Sequence, residues 1–127
     1  MMARRVGFSL LITLMALTLA ACGSPNSEAG LPVRSLSVEL SEFSISPNVL
    51  SAQVGEPLTF NITNKGVLDH DVTIVGPEGQ KLIHVEVKHG HSATFDFRPS
   101  ASGELRILCS IDGHAKAGMT AQLIVSP

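Results

Sequence analysis

Between Cys109 and Met119 the chain offers a thiol, an imidazole and a thioether, in the pattern Cys109-x₄-His114-x₄-Met119. Thiolate and thioether are soft donors and imidazole is borderline, a set that suits copper. Two imidazoles and one thiolate, with a distant thioether, hold a copper ion that exchanges one electron. Such a centre needs a second histidine from elsewhere in the chain. Taken singly, an inward Cys or Met is ordinary core packing, and a lone loop histidine means little. The joint spacing, with Gly113 and Gly118 beside the loop histidine, is hard to reach by packing alone.

The elements that must position these donors read as strands. Leu36, Val38 and Leu40 alternate with Ser37, Glu39 and Ser41. The parity then slips, with Phe43 and Ile45 taking the apolar role, which reads as a bulge or a crossing between sheets. Further strands are expected over Val49–Val54 and over the alternating runs at Leu58–Ile62, His70–Val75, Ile83–Val87, Ala93–Phe97, Leu105–Cys109 and Met119–Val125. Turn signals such as Asn64-Lys65-Gly66, Gly76-Pro77-Glu78-Gly79 and His89-Gly90 separate them. No helical period is long enough to compete. Seven or eight short strands with regular turns imply an all-β chain folded as an antiparallel sandwich or barrel.

Side chains along a strand alternate between its faces. Cys109 shares parity with Leu105 and Ile107, Met119 with Leu123 and Val125, and His70 with Val72 and Ile74. All three point inward from strand ends, and His114 lies in the loop joining two of those strands. His70 is therefore the expected second imidazole. His84 shares parity with Glu86 and Lys88 and is expected to face solvent. His89 and His91 flank Gly90 and read as a solvated turn, although a His-x-His pair can bind a second metal.

At these residues the chain resembles the cupredoxin family, to which plastocyanin, azurin and rusticyanin belong. The resemblance spans residues 35–127, and the x₄ spacing within Cys109–Met119 is most like the rusticyanin branch. The segment Asn64-Lys65-Gly66-Val67-Leu68-Asp69-His70 is similar to the family's loop ending in the first histidine ligand. The resemblance implies a Greek-key β-sandwich holding one type 1 copper through His70, Cys109, His114 and an axial Met119. It implies single-electron transfer between redox proteins such as a cytochrome or a terminal oxidase. One departure is Asp112, where many relatives carry proline before the Gly-His pair.

No open coordination position or acid–base pair is evident, so an electron carrier is expected rather than an enzyme. Val67, Leu68, Ala115 and Ala117 are expected to surround His114 as a docking patch. The alternative reading is a copper chaperone or buffer. Those favour Met- or His-rich exposed segments, and this chain has four Met, two of them at its start.

Net charge is −2 with no basic run, which argues against a nucleic-acid partner. Residues 1–21 read as an export signal: Arg4 and Arg5 precede an apolar stretch from Val6 to Leu19 that is too short to span a membrane comfortably. Leu19-Ala20-Ala21-Cys22 resembles a bacterial lipobox, which makes Cys22 the expected lipidation site and anchors the protein at the outer face of a membrane. Residues 22–34 read as a flexible tether, followed by one domain over 35–127, expected to be monomeric. Cys22 and Cys109 could pair arithmetically, but each has its own explanation. Cleavage before Cys22 leaves seven basic against eleven acidic residues. Cys22→Ala should move the protein from the detergent phase to the aqueous phase on Triton X-114 partitioning, with the donor set unaffected. A wild-type protein that already stays in the aqueous phase rules out the anchor.

Overall fold

The computed structural model describes residues 30–127. The expected signal peptide, Cys22 and the first part of the tether lie outside the described residues. Nine strands follow: β1 (Arg34–Ser41), β2 (Ser44–Ser46), β3 (Val49–Gln53), β4 (Leu58–Asn64), β5 (His70–Val75), β6 (Lys81–Val87), β7 (Ser92–Phe97), β8 (Gly103–Leu108) and β9 (Thr120–Ser126). The three-residue β2 is the strand beyond the eight expected.

The strands form two sheets, in the orders β2-β1-β4-β7 and β3-β9-β8-β5-β6. Alternation explains the layers. Leu36, Val38 and Leu40 of β1 and Leu58, Phe60 and Ile62 of β4 are buried, and they meet Ile107, Leu123 and Val125 from the other sheet in one core. Phe60 and Phe95, directly paired across β4 and β7, stack with centroids 4.9 Å apart and planes 7° from parallel.

Two details differ from the expectation. β1 and β4 run parallel, as do β3 and β9, while the other pairs are antiparallel. Side-chain alternation reports which face is buried and carries no information on the direction of the neighbouring strand. The parity slip after Ser41 is neither a bulge nor a crossing. It is a two-residue turn, Glu42-Phe43, between the antiparallel β1 and β2, with Ser41 opposite Ser44. Ile45 enters the core, but Phe43 is 42% exposed. The crossing to the second sheet comes later, between β2 and β3.

The pairing places the chemistry at one end. His70 opens β5 opposite Val87, the last residue of β6. Leu108 closes β8 opposite both Thr73 and Thr120. Leu40, near the end of β1, sits beside Asn64, the end of β4. The ends of β1, β4, β6 and β8 and the starts of β5 and β9 therefore converge. Phe60 is wholly buried in this core. Phe60→Ala should lower the stability of the metal-free protein by about 3–5 kcal/mol in urea titrations. A loss below about 1 kcal/mol would mean that the core relaxes around the vacated volume.

Candidate metal centre

Cys109 follows β8 directly and keeps its inward parity, so its thiol is fully buried. The chain then winds through short turns: His114 donates its amide to Ile111 O (3.0 Å), Ala117 to Gly113 O (3.0 Å) and Met119 to His114 O (3.1 Å). The Cys109 amide donates to Met119 O (3.2 Å), which closes the base of the loop. Met119 is wholly buried and His114 is half-buried.

On the other side, Asn64 holds the approach to His70. Its side-chain amide donates to Leu68 O (2.8 Å) and Val87 O (2.9 Å), and its oxygen accepts from the Gly66 amide (2.9 Å). Asp69 ties the same loop to the next hairpin by accepting from Lys88 Nζ (3.0 Å) and the His89 amide (2.9 Å). The His89 amide, with Lys88 next in effect, pulls the Asp69 carboxyl down to about 2.

These segments bring His70 Nδ1 to 3.2 Å from His114 Nδ1, and Cys109 Sγ to 3.5 Å from His114 Nδ1. One donor atom from each of the three residues lies within 4.8 Å of the others. Among the described residues this is the one His/Cys/Asp/Glu group placed to hold a metal. Two ring nitrogens and a thiol aimed at one point, with a buried Met at the loop's end, make a donor set of the kind copper takes in both oxidation states. His70, Cys109, His114 and Met119 fit one type 1 copper.

The remaining histidines behave as solvent-side residues. His84 is exposed, with Nδ1 2.9 Å from Thr73 Oγ1. His89 and His91 are exposed, and the His91 ring turns back onto His89 O (3.0 Å).

The family described as "Cupredoxin-like domain" matches residues 10–125. The chain belongs to that cupredoxin family. A structure of auracyanin B shares 18% identity, covers 74% of this chain and 89% of its own, and superposes with a TM-score of 0.68. Reduced auracyanin from the photosynthetic bacterium Roseiflexus castenholzii shares 17% identity at 77% and 100% coverage, also with a TM-score of 0.68. A blue copper oxidase from Nitrosomonas europaea gives 18% identity and a TM-score of 0.62, with 76% of this chain matching 39% of that one. These structures share the cupredoxin fold with this chain. A search of curated protein sequences finds no match.

Around the cupredoxin ligands stand groups that the sequence reading passed over. Asp71 follows His70 and has outward parity, yet it is 2% exposed. Its carboxylate accepts from the Ser110 amide (2.9 Å and 3.0 Å to its two oxygens), from Ser110 Oγ (2.9 Å) and from Thr73 Oγ1 (2.7 Å). Its own amide donates to Cys109 Sγ (3.5 Å). A thiolate that receives an amide hydrogen bond is held in place, and such outer partners tune the metal as well as its ligands. The available signal was that each of two core-facing ligands is followed at once by a polar residue, Asp71 and Ser110. Glu42 and Phe43, in the β1–β2 turn beside the two imidazoles, carried no signal of that kind.

Burial sets the protonation of the metal-free centre. It pushes the His70 imidazole below its ordinary 6.5, helped by His114, and pushes the Cys109 thiol above its ordinary 9.0. As pH falls past 6.5 the unfolded chain takes up the His70 proton first, so stability present above that point is lost. As pH rises past 9 the unfolded thiol ionises first, so stability present below that point is lost. Urea titrations of metal-free protein should show both limbs. Cys109→Ala should remove the alkaline limb and leave the acid one. An alkaline limb that survives this change assigns it to another group.

Proposed function

We propose that this cupredoxin carries single electrons between redox partners. The observation that carries the reading is that one donor atom from each of His70, Cys109 and His114 lies within 4.8 Å of the others, in a site where two of the three residues are buried. Bound copper supplies a one-electron couple there. The protein's part is to hold the donors still, so that little has to move when the charge changes. Cys109 is fixed by the Asp71 amide, His70 by the Asn64-anchored loop, and Met119 by the closed loop base. His70 and Cys109 are buried and His114 is half-buried, an enclosure that suits electron transfer through one ligand's edge.

The electron's route is the exposed side of His114. Phe43, whose ring packs on His114, and Ile111, whose carbonyl accepts the His114 amide, are 42% and 39% exposed; Val67 and Leu68, whose amides bind Glu42 next to Phe43, are 78% and 43% exposed. Large apolar side chains grouped beside a half-buried ligand support a docking face for a redox protein such as a cytochrome or a terminal oxidase. With the expected lipid on Cys22, that face works on the outer side of a membrane. Auracyanin A, described as a "blue" copper protein, shares this fold at 15% identity with a TM-score of 0.61 and supports the same reading.

The optical spectrum of copper-loaded protein tests the centre. An intense blue thiolate-to-copper band should appear and should vanish in Cys109→Ser. Potentiometry should cycle without loss of metal; copper released on each reduction favours a chaperone or buffer instead. Val67→Glu, on the most exposed side chain of this face, should slow electron exchange with a cytochrome several-fold and leave the band unchanged. Unaltered kinetics would move the docking face elsewhere.

A further inference from the structure

The β1–β2 turn has two residues, and each stands beside a different imidazole of the centre. Glu42 Oε1 accepts the amides of Val67 (2.6 Å) and Leu68 (3.2 Å) and stands 3.9 Å from His70 Nε2. That nitrogen is buried and has no hydrogen-bond partner. A buried, unpaired ring nitrogen is costly unless something answers it, and the Glu42 carboxylate is the acidic group beside it. Gly66 makes the approach possible. A Cβ there would collide with Glu42 Oε1 and lie 3.2 Å from His70 Nε2.

Phe43 adopts φ 58°, a left-handed conformation that bulky residues rarely take. A glycine or asparagine would occupy it at less cost. Burial is not the reason for phenylalanine, since much of the side chain is exposed. Its ring packs edge-on against His114, with centroids 5.3 Å apart and planes at 87°. Strain of this kind persists where the surrounding structure uses it.

We propose that the Glu42-Phe43 turn is a positioning clamp that presets both imidazoles for metal. Glu42 keeps the proton of His70 on Nε2, which leaves the Nδ1 lone pair facing His114 and Cys109. Phe43 holds the His114 ring upright at the edge of the site. The Val67 amide, with lesser backbone contacts, keeps the Glu42 carboxyl below the usual carboxylate range and so available as an acceptor. The clamp rests on the reading that these histidines bind the metal, and its first test uses metal-free protein so that the two can fail separately.

The test is ¹⁵N NMR of the histidine rings in metal-free protein at a pH where His70 is neutral. Wild type should show His70 protonated at Nε2 alone. At 3.9 Å the carboxylate acts on Nε2 through its charge, so Glu42→Gln, which removes the charge and keeps the shape, should shift the ring toward a mixture of tautomers, as should Glu42→Ala. A wild-type ring protonated at Nδ1, or an unmixed Nε2 tautomer in a folded Glu42→Ala variant, overturns the Glu42 role. In copper-loaded protein, Glu42→Gln should raise the potential, because a negative charge near the metal has been removed; an unchanged potential overturns the same role. Phe43→Gly keeps the turn's backbone without the ring. It should fold at least as stably as wild type and lose copper to a chelator about 10-fold faster, the lower end of what outer partners of metal ligands contribute. Release at the wild-type rate overturns the Phe43 role.

Discussion

The tie between Asp71 and Ser110 is the contact on which the centre depends. One ligand opens β5 and another follows β8, strands that are neighbours in the sheet yet far apart in the chain. The Asp71 carboxylate, accepting the Ser110 amide and hydroxyl, joins the residue after one ligand to the residue after the other. Strand alternation makes this possible. While His70 turns inward to the metal side, Asp71 turns outward and does the joining. Thr73, next on that face, donates to the same carboxylate and holds it in place. A buried carboxyl group with several hydrogen-bond donors around it is costly to disrupt, since each donor left behind would be unpaired.

Much of the site could be read before the fold was known, for a definite reason. Parity along a strand is a local property, so Cys109, Met119 and His70 could each be assigned to the inner face from their own neighbours. The loop spacing from Cys109 to His114 to Met119 is local as well. What could not be read was contact between distant segments. Nothing near Glu42 indicates that its carboxylate will lie beside the amides of Val67 and Leu68 and the ring of His70. Asp71 has the parity of a solvent-side residue, yet it is buried where Ser110, from a distant part of the chain, donates to its carboxylate. The parallel pairing of β1 with β4, and of β3 with β9, belongs to the same class, because alternation is identical in parallel and antiparallel neighbours.

Phe43 was misread for a different reason. Its apolar character fits the core, and a shift of one residue in the alternation suggested a bulge. The structure spends that residue outside the core, in a backbone conformation that its side chain disfavours. Local rules fail most informatively where the residue has work elsewhere. Here Phe43 breaks the local pattern and packs on His114, and Glu42, its neighbour in the same short turn, stands 3.9 Å from His70 Nε2.

Within the loop from Ile111 to Gly118 three amides find partners in the loop itself, His114 to Ile111, Ala117 to Gly113 and Gly118 to Ala115. It meets the sandwich at a closed base, where Cys109 bonds to Met119 and β8 pairs with β9. The loop is therefore a cassette. Insertions or deletions between its donors would alter metal geometry without disturbing strand pairing or core packing. The sandwich supplies a constant mounting, and the cassette is a separately heritable unit in which a lineage can change the properties of the centre while keeping the fold.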